Sequence, residues 1–119
     1  MTKLWFPVGL TLLLALGTAC APQPTPAQRI AAKEIAALAP LKAKYPDIVT
    51  ALDPSGKRLD IAIDANGYIS AGDDELDAFR AAAPRAWRAA WDAAHPGEHA
   101  KLTVRLVDFI GRVWLTQHA

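Results

Sequence analysis

The sequence predicts an α+β fold: an antiparallel sheet of four to five strands with two helices on one face. Three observations lead there. Apolar residues recur at helical spacing around residues 29–41 and again around 73–91. They alternate one by one in two other stretches, 58–64 and 102–107. Turn chemistry falls between these runs, at Pro54-Ser55-Gly56, Asn66-Gly67 and Ile110-Gly111.

The first helix starts at a capping box. Thr25 is the N-cap, Pro26 suits the first helical position, and Gln28 reaches back to the cap. Ile30, Ala37, Leu38 and Leu41 share a face, with Lys33 and Glu34 off it. Pro40 ends or kinks this helix, and Pro46 closes the segment. Ile48 to Leu52 reads as a weak strand ending at the Pro54-Ser55-Gly56 turn. Leu59, Ile61 and Ile63 then alternate with Asp60, Ala62 and Asp64, a half-buried strand. Asn66-Gly67 predicts a type I′ hairpin turn, with Tyr68-Ile69 returning as a short strand.

Asp73 is read as the cap of the second helix, and Asp74 and Glu75 place negative charge at its positive end. Leu76, Phe79, Ala83, Ala86, Trp87, Ala90 and Trp91 form its apolar stripe. Pro84 predicts a kink or a split, and His95-Pro96-Gly97 stops it. A last hairpin follows, from Leu102, Val104 and Leu106 through a turn near Ile110-Gly111 to Val113-Trp114-Leu115. Arg112, Trp114, Thr116 and His118 then share its outer face, opposite Val113 and Leu115.

The 119 residues suit one small domain. Lys plus Arg is 13 and Asp plus Glu is 12, so no basic excess exists to neutralise phosphates, and nucleic acid is not an expected partner. Cys20 is the only cysteine, which rules out an internal disulfide.

The N-terminus carries the clearest functional signal. Lys3 makes a positive start, Leu4 to Leu16 an apolar core, and Gly17, Thr18 and Ala19 a run of small residues before Cys20. Gly17-Thr18-Ala19-Cys20 resembles the lipobox of bacterial lipoproteins, although Gly17 stands where leucine is usual. The resemblance implies a diacylglyceryl group on the Cys20 thiol, cleavage before Cys20, and a further fatty acid such as palmitate on the freed amine. Ala21 stands where, in that family, an aspartate marks inner-membrane retention, so the resemblance implies a cell-envelope location, at the outer membrane or facing the periplasm, with the choice of membrane left open. Cleavage after Ala19 to a soluble chain and retention as a membrane helix stay open as alternatives.

The chain thus divides into a signal peptide (1–19), a lipidated cysteine with a proline-rich tether (20–27), and a small α+β domain (28–119). Pro22, Pro24 and Pro26 keep the tether extended, long enough to hold a domain about 20 Å from a membrane.

Candidate sites in the domain are few. Asp64 to Ala71 resembles part of an EF-hand calcium loop: Asp64 and Asn66 match the third and fifth ligands, Ile69 the buried apolar position and Asp73 the last. Ala62 stands where the first carboxylate belongs, and an Asn-Gly hairpin before a capped helix accounts for the same residues. No metal site is therefore expected. His95-Pro96-Gly97-Glu98-His99 spells H-x-x-E-H, but Pro96-Gly97 breaks the helix on which that zinc pattern depends. No nucleophile, base and orienter come together, so catalysis and cofactors are not expected. Trp114, Arg112, Arg88 and Arg85 are the candidates for a partner surface, because exposed Trp and Arg dominate protein interfaces. On the second helix, cores of small domains favour Trp87 and Trp91 as buried residues.

These observations predict a small lipid-anchored cell-envelope protein acting as a binding or structural module, with no enzyme activity. Its contacts are the membrane, through the anchor, and an envelope protein or a second copy. The alternative is a soluble exported ligand- or peptide-binding domain. The layout is similar to small exported inhibitor or PepSY-like domains, with no motif residue to carry across.

Lipidation is directly measurable. Intact-mass spectrometry of the native protein should show a chain beginning at acylated Cys20, and Cys20→Ala should accumulate as unprocessed precursor. A mature chain with a free thiol would exclude the anchor.

Overall fold

The computed structural model describes residues 22–119; the signal segment, Cys20 and Ala21 lie outside the described residues. Thr25 caps α1 (Pro26–Lys44), accepting from the Gln28 backbone N–H at 3.1 Å while the Gln28 side chain accepts from the Thr25 N–H at 2.8 Å. Pro40 does not end the helix. It sits on the exposed face, and α1 continues one more turn to Lys44. The buried face is Glu34, Leu38 and Leu41, one turn apart each, so Glu34 occupies the stripe and Ala37 faces water.

β1 (Val49–Ser55) and β2 (Arg58–Ile63) form an antiparallel hairpin. The strand runs through Pro54, and the turn is Gly56-Lys57, with Gly56 at φ +61°, a value only glycine adopts freely. Leu59, Ile61 and Ile63 all point into the core, as the alternation requires.

The predicted Asn-Gly hairpin is absent. Residues 65–70 form a short helix, α2 (Ala65–Ser70), with Asp64 as its N-cap accepting from the Gly67 N–H at 2.8 Å. A type I′ turn needs positive φ at both central residues, and neither Asn66 nor Gly67 has it. Capturing the Gly67 N–H on Asp64 turns the chain helical instead, and this seats Tyr68 in the core. Gly67 is required for another reason: its Cα lies against the Asp47 carbonyl, where a Cβ has no room.

α3 (Asp73–Ala94) is capped by Gly72, with Asp73, Asp74 and Glu75 in its first turn. Asp73 is therefore the first helical residue and not the cap. The stripe Phe79, Ala83, Trp87, Ala90 and Trp91 is buried. Pro84 lies inside a helix that neither splits nor stops. Proline leaves the carbonyl four residues back, that of Arg80, without its helical donor, and Gln117 supplies a replacement from its side-chain amide at 2.8 Å.

The expected all-antiparallel sheet is mixed. The order is β1-β2-β3-β4, with β2 and β3 (Thr103–Val107) parallel and β3 and β4 (Val113–His118) antiparallel. The 22 residues of α3 explain this: at about 33 Å the helix spans the whole sheet and returns the chain to the end where β2 began. α1 and α3 pack together on one sheet face, where Leu38, Phe79 and Trp87 meet Leu59, Ile61, Val104 and Leu106. The buried Trp87 N–H donates to the Lys57 carbonyl at 3.1 Å. On the opposite face no side chain is fully buried among the described residues: Asp53, Asp60, Arg105 and Thr116 form one cross-strand row, and Ala51, Ala62, Val107 and Val113 another.

Two substitutions separate the α2 helix from a hairpin. Gly67→Ala should cost about 1–3 kcal/mol by forcing a methyl against the Asp47 backbone. Asn66→Ala, harmful in a type I′ turn, should stay within about 0.5 kcal/mol. Urea unfolding of both variants measures the contrast.

Candidate functional site

The loop joining β3 to β4 is organised by one carboxylate. Asp108 is nearly buried and accepts four hydrogen bonds. Its Oδ1 takes the backbone N–H groups of Ile110 and Arg112 at 3.0 and 2.9 Å; its Oδ2 takes Arg112 Nε and Trp114 Nε1, both at 3.0 Å. The indole donor first, and then the Arg112 and Ile110 donors, hold the Asp108 carboxyl at about 2, against desolvation that would raise it. The Gly111 N–H returns to the Asp108 carbonyl at 2.9 Å, and Gly111 takes φ +94°. The result is a knot that leaves Phe109 92% and Ile110 63% exposed. Two adjacent large apolar side chains in water, at the tip of a cross-linked loop, form the most prominent apolar feature of the described surface.

Trp114 belongs to this knot. Besides its bond to Asp108, its ring meets Tyr68 edge-on at 5.7 Å, and the Tyr68 hydroxyl accepts from Arg80 Nε at 3.0 Å. The outer-face placement expected for Trp114 does not hold. Leu106 pairs with Leu115 but Val107 pairs with Val113, so Trp114 is the extra residue of a bulge. The bulge turns it toward Tyr68 and puts Val113 on the open face. The four partner-surface candidates do not form one patch. Arg112 and Trp114 sit at the Asp108 end of β4. Arg85 and Arg88 line a shallow cleft with His118 and Ala119 at the other end. There Arg88 is spent on the Ala100 carbonyl and on Asp92, at 2.8 and 3.4 Å, and Arg85 on the Ala81 carbonyl of its own helix.

The calcium candidates are likewise occupied or apart. Asp64 caps α2, Asn66 lies in its first turn, and Asp73 opens a different helix. Asp64 and Asn66 border a wide cleft of about 600 Å³ with Asp47 and Glu75. Among the described residues no three His, Cys, Asp or Glu side chains are grouped to hold a metal ion. His95 ends α3 and His99 lies in the loop beyond, so the H-x-x-E-H residues share no helix face.

A second buried carboxylate escaped the sequence reading. Glu34 is 3% exposed and its Oε2 has no hydrogen-bond partner. Burial pushes its carboxyl above the ordinary value, with partial compensation from His95, whose Nδ1 stands 3.9 Å away. The His95 ring stacks on Trp91 at 4.0 Å. The available signal was spacing: Glu34 lies four residues from both Ile30 and Leu38, on the apolar stripe. Phe109 and Ile110 also carried a signal, two large apolar residues in a turn, which alternation alone does not register.

No protein family, curated protein or solved structure matches the chain.

The depressed Asp108 carboxyl makes the knot acid-sensitive. A folded value near 2 against an ordinary 3.8 means that its stabilisation is complete above about pH 4 and is lost as the pH falls toward 2. Asp108→Asn should destabilise the protein at pH 6, and the gap to wild type should narrow at pH 3, both read by urea unfolding.

Proposed function

We propose that the chain is a small lipid-anchored cell-envelope protein acting as a binding module, and that it engages a protein partner through the Phe109–Ile110 loop and the adjoining apolar row of the open sheet face. The observation that carries this reading is the Asp108 knot. A loop without a contact role has no need of four hydrogen bonds to hold Phe109 and Ile110 in water, where each forgoes about 1.5–3 kcal/mol of burial. Val107 and Val113 extend the apolar surface from the tip onto the sheet.

The direction of the tip favours a protein over the anchoring bilayer. Ala27 and Ile30, at the start of α1, lie beside the Ser55-Gly56 turn. β2 leaves that turn, β3 runs parallel to it, and the Phe109–Ile110 loop follows β3 at the far end. The tether and the apolar tip are therefore at opposite ends of the domain. A chain held by its N-terminus presents the tip away from its own membrane.

A second reading is a soluble exported domain that takes an extended peptide. It is favoured by β4, an edge strand with one side unpaired among the described residues.

A photo-crosslinking residue at position 110 of the native, anchored chain discriminates. The expected result is a crosslink to one envelope protein, abolished by Phe109→Ser and unaccompanied by any change in the thermal midpoint. Crosslinks to lipid alone would overturn the protein-contact reading. Crosslinks from a probe on β4 at Thr116, with none from position 110, would favour peptide addition at the edge.

A further inference from the structure

One face of α1, carrying Ala27, Ile30, Ala31 and Glu34, stands across from Pro54, Ser55 and Gly56 at the β1–β2 turn and from His95 at the end of α3. Together they enclose a cleft of about 350 Å³, well apart from the Asp108 loop. Ala27, Ile30, Ala31 and Pro54 make its aliphatic walls, and Ser55 adds a hydroxyl. Its titratable lining groups are Glu34 and His95 alone.

The polar chemistry of this cleft is incomplete in one direction. Glu34 Oε2 is a buried acceptor with no donor. The Nδ1 of His95 lies 2.9 Å from the Trp91 carbonyl, so it carries the proton and donates there. Nδ1 is thus engaged by Trp91 and stands 3.9 Å from Glu34 Oε2, beyond hydrogen-bond reach. The Ser55 hydroxyl at the β1–β2 turn is a further polar group of the lining, and it makes no bond to Glu34 Oε2, which stays without a donor. A buried carboxylate is tolerable only when a donor or a positive charge meets it. An anion is repelled, and a hydroxyl brings a single donor and no charge. An ammonium brings three donors and the opposite charge, and an alkyl chain behind it matches the aliphatic walls.

We propose that the cleft between α1, the β1–β2 turn and His95 binds a primary alkylammonium group, with the ammonium at Glu34 and the carbon chain along Ala27, Ile30, Ala31 and Pro54. Free aliphatic amines and the lysine side chain of a peptide share this chemistry. The inference stands independently of the Phe109–Ile110 loop.

The test uses the full chain in detergent, titrated with n-butylamine at neutral pH and followed by NMR of the His95 ring and the Glu34 carboxyl. Saturable shifts at both residues are expected, with none from n-butanol. Glu34→Gln should weaken binding by about tenfold or more, because the charge-assisted bond is lost. Ala31→Phe, which fills the cleft from its wall and keeps the carboxylate, should also abolish binding, and it serves if Glu34→Gln fails to fold. A short lysine-containing peptide distinguishes the sources: tighter binding than n-butylamine identifies a partner's lysine, and weaker binding a free amine. Equal shifts from n-butanol, unchanged affinity in either variant, or no saturation below about 10 mM amine would overturn the proposal.

Discussion

The parallel pairing of β2 with β3 is the constraint on which the rest of the domain depends. It joins strands far apart in sequence, as the Asp60–Arg105 pair on the open face shows with its two bonds at 2.9 and 3.0 Å across 45 positions. Only a connection as long as α3 can deliver β3 in that direction, and only a stripe as large as Phe79, Trp87 and Trp91 can hold that helix to the sheet. The Lys57 carbonyl marks where the three parts meet. It accepts from the Trp87 indole and from the Thr103 N–H, so the β1–β2 turn, α3 and β3 are fixed at one atom. With no second cysteine in the sequence, apolar burial and such polar pins carry the stability of the domain.

Two buried carboxylates show how differently one fold can treat the same group. Asp108 has four donors and is held strongly acidic; Glu34 has none on Oε2 and is pushed the other way. Stability from Asp108 is lost as the pH falls below its ordinary value, whereas the cost of ionising Glu34 grows as the pH rises above 4.5. Asp60 lies between them, drawn down chiefly by its bonds to Arg105 on the open face. The saturated carboxylate builds a rigid loop, and the unsaturated one lines a largely apolar cleft as an acceptor without a donor.

Local chemistry was legible wherever a single short-range preference decided the outcome. The Thr25–Gln28 box, the alternation of Leu59, Ile61 and Ile63, and the stripe of α3 are of this kind. Reading failed where two local preferences competed or where a distant group intervened. Asn66-Gly67 fits a turn, but the Asp64 carboxylate captured the Gly67 N–H first. Pro84 disrupts a helix on its own, but Gln117 from another element repaired the lost bond. Trp114 was aimed by a bulge that alternation cannot reveal. The Glu34 cleft was illegible for a related reason: its walls come from three separate segments, and a charged residue on a helix is ordinarily assumed to face water.

The position of β4 as the last element bears on how the domain comes into being. The Leu102 carbonyl accepts from the Ala119 N–H at 3.0 Å, and Gln117 closes the gap left by Pro84. One edge of the sheet, and the repair of the longest helix, thus wait for the last strand of the described chain. The β1–β2 hairpin and the packing of α1 on α3 need none of these residues, while the central parallel pair, of high sequence separation, is slow to form. The last described strand therefore completes the sheet edge and the helix together.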